Sequence, residues 1–255
     1  MLLILMYHRA AEGHYSNPVS VLRSHFSYFR ERYPVVLPGE PLAPRRLNLC
    51  LTFDDAYADF YAYVFPLLQE FSLRVVLSVP TAFIVEKTVL GLPERIAMPE
   101  GRAMQGELSR AKAPLCTWEE LRLMTGSGLV EVASHSHNHV NLTHPGTDPA
   151  AEALQSKTLL EQQLGRPVST FVYPFGSVNA RAHHVVTQHY AYSMRIGSAL
   201  NANWTPRRQP LCRVSADRVA DIEDLVRWDR LTDYAFKWFT NQLRAASGKW
   251  HARQR

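Results

Sequence analysis

Leu47-Asn48-Leu49-Cys50-Leu51-Thr52-Phe53-Asp54-Asp55 is an apolar run that stops at two acids. Its length and its Leu/Cys/Phe content read as a strand over Leu47 to Phe53. Asp59 to Phe71 follows with Phe60, Val64, Leu67, Leu68 and Phe71 on one side of a helix. Arg74 to Val79 is strand-like again and is stopped by Pro80. Strand, helix and strand in this order form the unit of a parallel sheet with helices outside.

The same alternation extends in both directions. Leu2 to Tyr7 is a strand, and Ser20 to Tyr33 has helical spacing through Leu22, Phe26 and Phe29. Thr117-Trp118-Glu119-Glu120 opens a helix, with Thr as N-cap and Glu three residues later, that ends near Gly126 or Gly128. Leu129 to Ala133 is a fourth strand. Asp148-Pro149 opens a helix running to about Gly165, with Pro at its first position. Val168 to Tyr173 and Tyr190 to Ile196 read as strands on either side of a helix over Val178 to His189, and Leu211 to Val214 as the last strand. Val219 to Arg230 and Asp233 to Ala246 read as closing helices. Roughly seven strands favour a closed or nearly closed α/β barrel over an open sheet, and such barrels build their sites where strands end in loops. His8, Asp54, Asp55, His135 and Pro174 all lie at such ends. The length suits one domain over residues 1–255. From Glu86 to Pro114 no period is visible, and the stretch reads as a functional loop or insertion.

Hydrophobic residues at 46% and charged residues at 20% fit a soluble globular chain rather than a disordered one. The net charge of +5 and pI near 9.2 describe a mildly basic enzyme. An anionic substrate or membrane surface is the sharper alternative. Lys249, Arg253 and Arg255 fall in a basic tail over residues 247–255. No aromatic-basic motif or basic helical stripe points to nucleic acid. Cys50, Cys116 and Cys212 are odd in number and form no C-x-x-C pair, so they read as small buried residues. The apolar opening, Met1 to Met6, is too short for a signal peptide, and no run is long enough to span a membrane. On this reading the chain is cytoplasmic. Core packing accounts for most of Phe236, Trp238, Phe239 and Leu243 in the last helix, and a peripheral membrane contact is the alternative.

The chemistry concentrates in two segments. Asp54-Asp55 ends the second strand. Adjacent strand residues point to opposite faces, but a turn at the strand's end can aim both carboxylates into one pocket. Either acid could instead cap the helix that follows. Ser134-His135-Ser136-His137-Asn138-His139 follows the fourth strand and carries three His in five residues. Spacing of i, i+4 lets His135 and His139 converge, with His137 pointing elsewhere; a polar loop without metal is the alternative. One carboxylate and two imidazoles make a three-ligand metal site with open positions, and the second carboxylate is left to act as a base on water.

Together these segments resemble the polysaccharide deacetylases, the NodB-like carbohydrate esterases. Thr52-Phe53-Asp54-Asp55 and His135-Ser136-x-x-His139 carry the resemblance, with Met6-Tyr7-His8, Thr117-Trp118-Glu119-Glu120-Leu121, Ser127-Gly128-Leu129-Val130-Glu131 and Tyr173-Pro174-Phe175-Gly176-Ser177. It implies a distorted (β/α) barrel and a metal-dependent deacetylase. Matched position by position, Asp54 is the catalytic base, Asp55, His135 and His139 are the metal ligands, and the backbone N–H of Phe175 helps hold the oxyanion. Zinc suits a carboxylate-imidazole set, with cobalt, nickel or iron as alternatives.

The chain departs from the commonest family pattern twice. That pattern has a late Leu-x-His, whereas the only His after position 200 is His251 in the basic tail. A subset of the family carries an early Tyr-His instead. Tyr7-His8 resembles it, which makes His8 the candidate general acid for the leaving amine. His14, His25, His183, His184 and His189 read as surface or helix residues. Many relatives also orient the catalytic Asp with an Arg three positions before the residue matching Phe175; here that position is Val172. Arg213, at the end of the last strand, is the candidate replacement, with a structural salt bridge as its alternative.

The expected substrate is an N-acetylated sugar or polysaccharide precursor, and the expected setting is surface-polysaccharide assembly such as O-antigen biosynthesis. A catalytically degenerate carbohydrate-binding protein and a hydrolase of another amide are the alternatives. The unpatterned stretch over 86–114 is expected to shape the substrate groove.

Overall fold

A computed structural model describes residues 1–205 and 209–246. In chain order the elements are β1 (Leu2–Tyr7), α1 (Val19–Arg32), β2 (Asn48–Phe53), a π-helical turn (Phe60–Val64) running into α2 (Phe65–Phe71), β3 (Val75–Val79), α3 (Leu92–Ile96), α4 (Gly106–Lys112) and α5 (Trp118–Gly126). They continue as β4 (Val130–Ser134), α6 (Pro149–Leu164), β5 (Thr170–Val172), α7 (Ala180–His189), β6 (Tyr192–Ile196), β7 (Leu211–Ser215), α8 (Glu223–Val226) and α9 (Trp228–Ala246). All seven strands are parallel and close into a barrel in sequence order, β7 returning to β1 with Ile4 opposite Arg213. The sheet is weakest between β4 and β5, where one pair, Ser134 with Phe171, carries the register.

The two-residue period of each strand separates an inner from an outer core. Leu3, Leu5, Tyr7, Leu49, Leu51, Phe53, Val75, Leu77 and Val79 face the helices. Leu2, Ile4, Cys50, Val76, Ala133, Val172, Met194 and Leu211 fill the barrel. At the C-terminal ends of the strands the inner positions turn polar. Thr52, Ser78 and Arg213 lie there, all buried. The interior is therefore an apolar plug under a polar floor, and the site stands on that floor.

The stretch over 86–114 is not irregular throughout. It holds α3, a 3-10 turn (Glu100–Arg102) and α4. Five- and seven-residue helices are too short to repeat an apolar face, so no period shows. One buried guanidinium organises them instead. Arg95 donates to the carbonyls of Ala113 (2.7 Å) and Leu115 (2.8 Å) and pairs with both carboxylate oxygens of Glu120. Glu120 also closes the expected capping box with Thr117 at the start of α5.

The end of the chain departs from expectation in two ways. The helix expected over Val219 to Arg230 is only Glu223–Val226, and the last helix begins earlier, at Trp228. Core packing does not cover most of its aromatics: Tyr234 is buried and Trp238 half-buried, but Phe236, Phe239 and Leu243 are exposed. The basic tail at 247–255 lies outside the described residues. Among the described residues no helix is long and apolar enough to cross a membrane. His25 and His183 lie on helices as expected, but buried, their Nδ1 atoms 3.2 Å from the hydroxyls of Tyr7 and Tyr173 respectively.

Candidate functional site

Asp54 continues the inward-facing set Cys50, Thr52 one step past the end of β2, so its carboxylate stands over the polar floor. Its backbone N–H donates to the Tyr7 carbonyl (2.8 Å) and ties the end of β2 to β1. Arg213 holds the carboxylate with two parallel bonds, Nη1 to Oδ1 at 2.7 Å and Nη2 to Oδ2 at 2.8 Å. Nη1 also donates to Thr52 Oγ1, which donates to the Leu5 carbonyl, and Ser78 Oγ donates to Asp54 Oδ1 at 2.8 Å. Burial would raise the Asp54 carboxyl, but the charge and hydrogen bonds of Arg213, together with His135 and His8, outweigh it and hold the group well below the usual carboxylate range. Asp54 is thus ionised, fixed and 3% exposed.

Asp55 would point away from this pocket if the strand continued. It does not: Asp55 and Ala56 take φ of 71° and 54°, and the chain turns left-handed. The turn brings the second carboxylate beside the first. Ser136 (60°), His139 (49°) and Phe175 (59°) share this conformation. Each such non-glycine residue costs on the order of 1–3 kcal/mol, and residues so strained gather at functional sites. Asp55, His135 and His139 each present one ligand atom, all within 4.8 Å of one another. Asp55 Oδ1 is 3.2 Å from His139 Nε2 and 3.5 Å from His135 Nε2, yet it is buried and makes no hydrogen bond. His135 Nδ1 lies 2.9 Å from the Val172 carbonyl, an acceptor, so that nitrogen carries the proton and Nε2 offers a lone pair. Burial pushes the His135 pKa down to about 4, which keeps the ring neutral, as a ligand must be. An orphaned carboxylate oxygen between two imidazoles fits a divalent ion.

The loop between the two imidazoles is held from outside. Asn138 donates through its backbone and side chain to Glu152 on α6, at 2.8 and 2.7 Å. His137 turns away from the cluster and meets Thr81 Oγ1 at 2.8 Å. On the far side of the pocket, His8 Nε2 is 3.9 Å from Asp54 Oδ2. Its Nδ1 donates to Asp217 Oδ2 at 2.7 Å, and its backbone N–H donates to Asp217 Oδ1 at 3.1 Å. Burial lowers this imidazole, but the Asp217 bond and the charges of Asp54, Asp217 and Asp55 together raise it to about 9. Two exposed rings flank the pocket: Tyr15 against His8 (5.3 Å between centroids) and Phe175 against His139 (4.9 Å).

The chain thus brings together Asp54, Asp55, His135, His139, His8 and Arg213, with the Phe175 turn at the rim. The sequence reading does not single out Asp217. The signal available was an acid two residues past the last strand, in the same setting as Asp54, but no motif surrounds it. Tyr15 and Ser78 carried no signal at all.

A family model of polysaccharide deacetylases matches residues 44–193, which is more than half of the chain. The chain belongs to the polysaccharide deacetylase family. The matched span holds Asp54, Asp55, His135, His139 and Phe175, whereas His8, Arg213 and Asp217 lie outside it. Among characterised members, the poly-beta-1,6-N-acetyl-D-glucosamine N-deacetylase of Escherichia coli strain K12 is 31% identical over 129 residues, 47% of this chain but only 17% of that protein. The counterpart from strain O157:H7 matches to the same extent. Solved structures share the fold at lower identity. IcaB from Ammonifex degensii has a TM-score of 0.68 at 20% identity, over 91% of this chain and 96% of that one. Streptococcus pyogenes deacetylase PplD has 0.68 at 19%, over 88% and 96%.

Proposed function

We propose that this chain is a divalent-metal-dependent deacetylase that releases acetate from an N-acetylated amino sugar in a polysaccharide or its precursor. One observation carries the proposal: a buried, orphaned carboxylate oxygen of Asp55 lies between two imidazoles, next to a second carboxylate fixed by Arg213. Asp55, His135 and His139 would hold the ion. When bound, it supplies Lewis acidity to a water and to the acetyl carbonyl, and zinc suits the donor set. Asp54 is positioned to take the proton from the attacking water, and Arg213 keeps it ionised for that task. The Phe175 N–H is assigned to the developing oxyanion, where such a donor typically contributes about 10²–10³ in rate. His8, protonated and held by Asp217, gives its Nε2 proton to the departing amine.

Two features favour a non-catalytic carbohydrate-binding protein: Val172 in place of the family's Arg, and no late Leu-x-His. Arg213 and the His8–Asp217 pair stand where those two roles are needed, which supports catalysis. The activity of the Escherichia coli relatives supports a β-1,6-linked N-acetylglucosamine polymer as the first substrate to test, and we assign surface-polysaccharide assembly, O-antigen included, as the setting. The zinc-loaded chain is expected to release acetate from a β-1,6-linked N-acetylglucosamine oligomer. No acetate from that oligomer, its β-1,4-linked counterpart or a lipid-linked N-acetyl sugar would leave only the binding reading.

A further inference from the structure

The last helix buries one side and leaves a second apolar side uncovered. Leu231, Tyr234 and Trp238 turn toward the body of the protein. Trp228 (80% exposed), Phe236 (66%), Phe239 (55%) and Leu243 (58%) do not. At 3.6 residues per turn these four fall within one arc of about 80°, a continuous stripe rather than scattered exposure. The charge of the chain is concentrated at the same end. After Asp233 the sequence has no further acid but has Lys237, which pairs with Asp233, and Arg244, Lys249, Arg253 and Arg255. Those five cations equal the net +5 of the whole chain, so residues 1–233 carry 23 basic and 23 acidic residues and are neutral.

We infer that this face of α9 docks on an anionic lipid surface. An aromatic stripe on a helix too polar to span, followed by excess positive charge, is the pattern of an interfacial helix. An anionic leaflet offers both an apolar layer for the stripe and negative charge for the cations. A second copy of this chain offers the apolar face but sets one net-positive segment against another. The contact is independent of the chemistry at the site, and it would hold the enzyme beside lipid-linked or membrane-proximal glycans.

Co-sedimentation of the full chain with vesicles tests it. Vesicles of phosphatidylcholine with about one quarter phosphatidylglycerol should bind the protein at least about tenfold more tightly than phosphatidylcholine alone, and added salt should weaken the binding. The triple variant Phe236→Ser/Phe239→Ser/Leu243→Ser should lose that binding about tenfold or more while releasing acetate from a soluble oligomer at the parent's rate. Should that variant melt earlier than the parent, Lys249→Glu/Arg253→Glu decides the point, with the same loss expected. Absence of binding by the parent, parental binding by the variants, or dimerisation that depends on the stripe would overturn the inference.

Discussion

Asp54→Asn is expected to lower kcat for acetate release by about 10³, within the 10²–10⁴ typical of a positioned general base, with little change in KM. The amide keeps the size of the carboxylate but cannot accept the water's proton. Metal affinity should stay close to the parent's, because Asp55, His135 and His139 are untouched. The substitution also leaves Arg213, 1% exposed, without its counter-charge. Breaking a buried pair from one side costs about 3–5 kcal/mol, so the Tm should fall as well. A parallel variant separates the two effects. Arg213→Met removes the charge but leaves Asp54 able to accept a proton, and should retain more activity than Asp54→Asn at a temperature where both are folded. Full activity of Asp54→Asn would remove the base from the mechanism.

Asp217→Asn is expected to move the alkaline limb of the pH–rate profile by two or more units. His8 must be protonated to serve the leaving amine, and its pKa is raised to about 9. The active, protonated form therefore dominates below that pH and is lost as pH rises through it. Burial pulls the imidazole down, and the Asp217 bond is the largest effect opposing it. Without that carboxylate the limb should fall to the ordinary histidine value near 6.5 or lower, which leaves about one ring in thirty protonated at pH 8 and a rate about thirtyfold lower there. Below pH 6 the variant and parent should converge. A purely structural role for Asp217 would lower the rate at all pH values and leave the limb in place.

The barrel was legible because strands buried on both faces appear as unbroken apolar runs, and Leu2 to Tyr7 and Leu47 to Phe53 could hardly be anything else. The clustering of Asp55, His135 and His139 was legible because all three follow strand ends and match a family motif. What the sequence hides is conformation and long-range register. Asp55 joins Asp54 only through left-handed backbone at two non-glycine residues, which nothing in their identity announces. Arg213 meets Asp54 because β7 closes onto β1 with Ile4 opposite it, a pairing set by barrel closure rather than by any local pattern. Asp217 pairs with His8 across 209 positions for the same reason. The stretch over 86–114 read as structureless because Arg95, not an apolar stripe, holds its short helices. The exposed side of α9 was misread as core because the helix has two apolar faces and the sequence does not say which one the barrel covers.

The most direct test of the central claim is reconstitution. Chelation should abolish acetate release from the N-acetylglucosamine oligomer, and titrating zinc back should restore it in proportion up to about one ion per chain. His135→Ala should neither bind that ion with comparable affinity nor regain activity. Full acetate release by the stripped protein, or by His135→Ala without added metal, would contradict the account.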